Sequence, residues 1–169
     1  QVREWEDPVW RAAHPNEGGG GWRGTDYVHC PKAAGVRVLD YLLFGPSGDA
    51  STPAGEQGID YSLVGVAHFT EKAESHVGLC HGGSMCALMD DVVGWLGFCA
   101  DGELKPWSGF TVQIDTALKK AVHVGSLLRL EATVTERVGK RKVYIKAKLV
   151  DPSSPDVVYC TCSGLFLVK

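Results

Sequence analysis

The sequence predicts an α+β fold in which one long central helix is wrapped by a curved antiparallel β-sheet. Three observations point to it. A single long apolar helix candidate, from about Gly82 to Ala100, occurs in 169 residues. The segments after it alternate apolar and polar residues with a period of two, the pattern of half-buried strands. The turns that join them are so short that the strands must be antiparallel neighbours.

Residues 1–30 carry Trp5, Trp10 and Trp22, Pro8 and Pro15, and the run Gly18-Gly19-Gly20-Gly21, with little apolar periodicity. A tail with that many tryptophans is expected to lie along the domain or a partner, which allows a larger protein assembly through residues 1–30. Val36 to Phe44 is a β-rich run closed by Gly45-Pro46-Ser47-Gly48-Asp49, and a polar, Gly-rich linker leads on to Gly58. The chain is therefore divided into residues 1–57, an N-terminal extension with one strand and Gly/Pro-rich linkers, and residues 58–169, the compact domain. Tyr61 to Phe69 reads as a second strand, on which His68 alternates with Val66 and Val64 as a structural rather than a catalytic histidine.

In the helix, Met85, Leu88, Met89, Val92, Val93, Trp95, Leu96 and Cys99 go almost all the way round the wheel, so it is covered on most sides. An acidic residue there needs a reason. Asp90 lies between Met89 and Val92, and burying an unpaired carboxylate costs several kcal/mol, a cost that functional carboxylates tolerate. Spacing alone leaves open which of Asp90 and Asp91 faces solvent. His81-Gly82-Gly83 stands where the helix begins, where glycines leave backbone N–H groups uncovered and the helix dipole favours negative charge. That is an anion or oxyanion site.

The helix stops at Asp101-Gly102, with Pro106 beyond. Phe110 to Asp115 alternates. Ser126 to Glu136 puts Leu128, Leu130, Ala132 and Val134 on one face, Val143, Ile145, Ala147 and Leu149 do the same, and Val157 to Val168 completes the set. The connections are Val138-Gly139-Lys140 and Asp151-Pro152-Ser153-Ser154-Pro155.

Composition limits the function. With 44% hydrophobic residues the chain can build a core without staples. Cys30, Cys80, Cys86, Cys99, Cys160 and Cys162 lack metal-type spacing, and most fall on apolar faces, so no metal site is expected and a reducing, intracellular compartment is. A net charge of −3 without a basic run gives no sign of nucleic-acid binding, and no segment reaches the eighteen or so apolar residues of a membrane span. The first residue is Gln, as in a trimmed chain or in a mature protein whose targeting peptide has been removed; the second case implies an organelle such as the mitochondrial matrix.

At residues 58–169 the chain resembles the hotdog-fold acyl-CoA thioesterases, in particular the branch of the phenylacetate-pathway thioesterases and the mammalian thioesterase superfamily members. The resemblance is carried by His81-Gly82-Gly83 with Asp90 nine positions after the histidine, by Val93-Gly94, Thr111, Lys119-Lys120 and Ser163-Gly164-Leu165-Phe166. It implies a hotdog fold and hydrolysis of acyl-CoA thioesters, with Asp90 as general base or nucleophile, Gly82 or Gly83 amides holding the carbonyl oxygen, Thr111 positioning water and His81 shaping the site. CoA enters as part of the substrate and no further cofactor is implied. The sequence departs from the pattern at Asp101 to Pro106, which is longer than usual, and at Ala121, where a proline commonly follows the basic pair.

The chemistry also follows from the residues. Thioester hydrolysis needs an activated water or nucleophile and donors aimed at the developing oxyanion. Asp90 and the Gly82/Gly83 amides are those parts, but eight residues of helix separate Gly82 from Asp90 by about 12 Å, whereas both must lie within roughly 3 Å of one reacting centre. Donors and carboxylate are therefore expected from different chains of a homo-oligomer, a dimer or a dimer of dimers. Met85, Met89, Trp95 and Phe98 are candidates for an acyl channel, with core packing the reading for three of them and Met89 the one assigned to substrate binding. Lys119 and Lys120 either meet CoA phosphates or form a solvated basic turn. Two other functions compete: a catalytically silent hotdog protein serving as a structural subunit of a larger, organellar assembly, and a hotdog hydratase, for which His68-Phe69-Thr70 lacks the usual proline.

Overall fold

The computed structural model describes Val28 and residues 35–45, 61–100 and 104–169. The Trp-bearing arm and the Gly/Pro-rich linkers expected near the N-terminus lie outside those residues. Within them run β1 (Val36–Phe44), β2 (Ser62–Phe69), a 3-10 turn (Glu71–Ala73), β3 (Glu74–His76), β4 (Leu79–Cys80), α1 (Gly82–Gly97), β5 (Gly109–Leu118), β6 (Leu127–Val138), β7 (Lys142–Val150) and β8 (Val158–Val168). Six strands form one antiparallel sheet in the order β1-β2-β6-β7-β8-β5, and β3 and β4 make a small separate hairpin.

The placing of residues 36–44 in an extension is corrected by this topology. β1 pairs with β2 from Val36↔Phe69 to Phe44↔Ser62, and its Val36, Val38 and Tyr41 are buried in the common core. A strand paired along its whole length belongs to the sheet, so the domain begins before residue 58. The helix is also shorter than its apolar pattern, because after Gly97 the bonds tighten: Cys99 N–H donates to Leu96 and Ala100 N–H to Gly97. The β3–β4 hairpin carries no apolar alternation, being exposed along Glu74, Ser75 and His76.

The sheet curls round α1, and the inward positions of β6, β7 and β8 (Leu128, Leu130, Ala132; Val143, Ile145, Ala147; Cys160, Cys162, Phe166) meet Leu88, Met89, Val92 and Leu96 of the helix. Two glycines set the depth. A Cβ added at Gly164 would come within 2.5 Å of Val93 Cγ2, and one at Gly97 would overlap the Phe166 ring. Among the described residues no helix is long and apolar enough to cross a membrane.

Five cysteines are free thiols in the described residues. Burial pushes Cys99 up to about 12, and burial, followed by the neighbouring Cys162 and Cys86, pushes Cys160 up to about 12, both from an ordinary 9.0.

Gly164→Val should lower stability by about 1–3 kcal/mol through overpacking against Val93, read as the urea midpoint; an unchanged midpoint would mean that helix and β8 do not approach this closely. The thiols give a second expectation. Above pH 9 the unfolded chain loses the Cys99 and Cys160 protons while the folded chain keeps them, so their contribution is complete below pH 9 and is lost as pH rises toward 12. Urea unfolding at pH 8.5 and pH 10 should differ by on the order of 1–2 kcal/mol from this source, and a Cys99→Ala/Cys160→Ala variant should lack that share of the pH slope.

Candidate active site

The curl of the sheet leaves one strip of α1 uncovered, and a cleft of about 630 Å³ opens there. Ala87, Asp90, Asp91, Gly94, Trp95 and Phe98 of the helix face it, a stripe at the three- and four-residue spacing of one helical side, and Gly109, Phe110 and Thr111 of β5 form the facing wall. Val28, whose carbonyl accepts from Val38 N–H of β1 at 3.0 Å, adds an apolar patch. A second opening of about 380 Å³ continues past Thr111, between Cys86 and Gln113, and shares Asp90 and Thr111 with the first.

Asp90 is exposed in the single chain, which corrects the expectation that the sheet covers it. The reason is its place on the stripe that neither β1 nor β5 reaches over. Asp91 is the partly buried one of the pair, its Oδ2 accepting from Tyr41 O–H at 2.7 Å. Tyr41 is itself fixed, buried against Gly65, where a Cβ would come within 2.5 Å of its ring. One carboxylate is thus tied to β1 and the other points into the cleft.

Thr111 owes its position to a β-bulge. The β5–β8 register runs Phe110↔Leu167, Thr111↔Phe166, then Gln113↔Leu165, so Val112 is an extra residue. The bulge lets Thr111 and Ile114, three apart, both be partly buried where strict alternation would put them on opposite faces. Gly94 lies beneath Thr111, with 3.8 Å between its built Cβ and Thr111 Oγ1.

The His-Gly-Gly segment stands at the other end of the helix. His81 is the N-cap, its Nδ1 accepting from Gly83 N–H at 2.8 Å, and its own N–H donates to Ala73 at 2.7 Å, which holds it on the 3-10 turn. Ser84 N–H and Oγ–H both donate to the His81 carbonyl. Gly82 N–H has no acceptor among the described residues. Leu118 packs over Gly82, and Lys119 and Lys120 follow it, exposed, with Lys120 Nζ 5.1 Å from the centre of the Tyr159 ring. One chain therefore separates the expected parts into two groups, His81, Gly82, Gly83, Lys119 and Lys120 near the helix N-terminus, and Asp90 with Thr111 in the cleft.

Met89 is fully buried in the core and forms no part of the cleft, which corrects its placing in a substrate channel. Met85 is core as well. Trp95 and Phe98 do line the cleft; Phe166, singled out in the sequence only as part of Ser163-Gly164-Leu165-Phe166, and Trp107, not anticipated from sequence, join them. Phe98 is the hub, with Trp95, Trp107 and Phe166 rings edge-on at 5.6, 5.5 and 5.5 Å. The signal for Trp107 was Pro106 before it. Ser108 N–H donates to Lys105 C=O at 3.1 Å across a turn with Pro106 second and Trp107 third, as in a type II turn, where positive φ is required and glycine is usual. Trp107 has φ +67°, a conformation costing roughly 1–3 kcal/mol for a bulky residue. Among the described residues no group of three or more His, Cys, Asp or Glu side chains is placed to hold a metal.

No protein-family model matches the chain. The mouse acyl-coenzyme A thioesterase THEM5 is 32% identical over 94 residues, 56% of this chain, and the chain spans 35% of that protein's length. Zebrafish thioesterase superfamily member 2 superposes with a TM-score of 0.58 at 15% identity, over 80% of this chain and 83% of that one. A hypothetical thioesterase protein from Streptococcus pneumoniae TIGR4, solved with coenzyme A, gives 0.56 at 15% identity, over 77% and 86%; it has also been solved with an aspartate, and with a threonine, replaced by alanine. The helix gripped by a six-stranded antiparallel sheet is the hotdog fold, and the chain is a hotdog-fold protein similar in part of its sequence to an acyl-coenzyme A thioesterase and in structure to proteins of the thioesterase superfamily.

Proposed function

We propose that this chain hydrolyses acyl-CoA thioesters to the free acid and CoA, as a homodimer or a dimer of dimers with its sites between chains. The observation that carries the reading is the meeting of Asp90 and Thr111 in one apolar-walled cleft. The same two residue types were replaced in the pneumococcal relative. The Asp90 carboxylate takes a proton from water held by the Thr111 hydroxyl as that water adds to the carbonyl carbon, or adds to the carbon itself to give an anhydride that water then hydrolyses; in either case the tetrahedral intermediate collapses with loss of the C–S bond, and CoA leaves as a thiolate that is reprotonated.

The oxyanion needs donors that Asp90's own helix does not bring, since Gly82 is about 12 Å away along it. A partner's α1 N-terminus supplies them. Gly82 is the donor of choice, because Gly83 N–H is already given to His81 Nδ1. Two features support the second chain. β5 is an edge strand with Phe110, Val112 and Leu118 about half exposed, an arrangement that natural sheets avoid leaving unpaired. Asp90 lies open to solvent, and a partner covering it would exclude bulk water and strengthen every electrostatic interaction at the carbonyl. Lys119 and Lys120 follow the strand end that packs on Gly82, so they would reach the CoA phosphates from the chain that holds the oxygen. The reaction needs no cofactor beyond the CoA of the substrate, and the free thiols support a reducing compartment.

Asp90→Asn should lower kcat on acyl-CoA esters by at least about a hundredfold, and Thr111→Ala by roughly tenfold, one hydrogen bond's worth. Wild-type turnover retained in Asp90→Asn would remove Asp90 from the chemistry; no turnover of any ester by the wild type would favour the silent structural subunit. Light scattering should report at least two chains, and Val112→Asp on the β5 edge should lower both the oligomer fraction and the turnover, whereas a fully active monomer would refute the shared site.

A further inference from the structure

Beyond Asp90 the cleft is lined by the rings of Trp95, Phe98, Trp107 and Phe166, and one of them holds a backbone conformation that its residue type resists. Among the described residues Trp107 is the one non-glycine with a positive φ. Glycine would take that position without strain, and at 43% exposure the indole is not placed there by core burial. What the position gives is a wall. The turn carrying Trp107 is fixed to the helix end by Lys105 N–H donating to Phe98 C=O at 2.9 Å, and the indole stands edge-on to Phe98. Phe98 is backed in turn by Trp95 and Phe166, which are buried, so the wall cannot yield into the core.

We infer that Trp107 is a specificity-determining residue that acts as a ruler, stopping the apolar end of the bound acyl group. Asp90 and Phe98 are eight residues apart on one helix, which leaves about 12 Å between the reacting carbonyl and the wall. The acyl groups that fit are single rings or short to medium unbranched chains, and a long saturated chain stretched along the helix runs into the indole. The inference rests on the thioesterase reading for its chemistry and on the cleft alone for its geometry.

The test is kcat/KM for acetyl-, octanoyl-, phenylacetyl- and palmitoyl-CoA with wild type, Trp107→Gly and Trp107→Phe. The wild type should favour octanoyl over palmitoyl by about tenfold or more; Trp107→Gly should shrink that ratio by a similar factor, and Trp107→Phe, which keeps a ring at the wall, should preserve most of it. A folded Trp107→Gly with the wild-type ratio overturns the ruler. Should Trp107→Gly fail to fold, Trp107→Asn, which also accepts positive φ, replaces it. Should the wild type hydrolyse none of the esters, the thioesterase reading falls, and the ruler is judged by calorimetric binding of octanoate and palmitate to the same variants: a shift of preference toward palmitate in Trp107→Gly supports it, and an unchanged preference overturns it.

Discussion

The depth to which α1 sinks into the sheet depends on two side chains that are absent. Gly164 lets β8 come down on Val93, and Gly97 makes room for the Phe166 ring, which also fills the space beside Gly109 on β5. Interiors at crystal-like density do not tolerate an added methyl at such points. Because the helix lies this deep, the edges of the sheet come round it far enough for Tyr41 of β1 to reach Asp91. They do not meet, and the strip of helix left between them is the cleft. Phe166 belongs to both structures, since the ring that seats the helix also forms part of the cleft wall. Stability and site geometry are coupled through that ring.

Much of this was legible in the sequence, and what was not has a consistent cause. β6 to β8 were readable because each buries one face and neighbours its sequence-adjacent strand, so period and turn length suffice, and the helix because its apolar residues run almost all the way round the wheel. β1 was readable as a strand but not as part of the sheet, since its partner lies across a linker and pairing over that distance leaves no local trace. β5 looked regular because a bulge adds one residue without changing composition, yet that residue is what gives Thr111 its side. The same blindness to the open edge of the sheet made Asp90 look buried and Met89 look available. Which side of a nearly all-apolar helix stays uncovered is decided by where strands end.

The site's residue types were legible for a different reason. A glycine pair at a helix start and a carboxylate in an apolar helix are each locally unfavourable, and local conflicts of this kind concentrate where a protein binds or reacts. Trp107 obeys the same logic, but Pro106 before it marks only a turn, and that the turn places a tryptophan at positive φ is visible in the structure alone.

The helix also acts as a scale. Asp90 lies eight residues after Gly82 and eight before Phe98, so about 12 Å of rigid rod separates the carboxylate from the N-terminal donors on one side and from the aromatic wall on the other. No loop movement can close either gap within a chain. On the proposed reading this fixes the direction of the substrate: its oxygen is held by the partner's helix start, its sulfur leaves toward the partner's lysines, and its acyl group runs along its own helix to Trp107. Each chain then contributes the two halves of the helix to different sites. A change at the C-terminal half should alter which acyl group is accepted in its own chain's site, while a change at Gly82 should act across the interface.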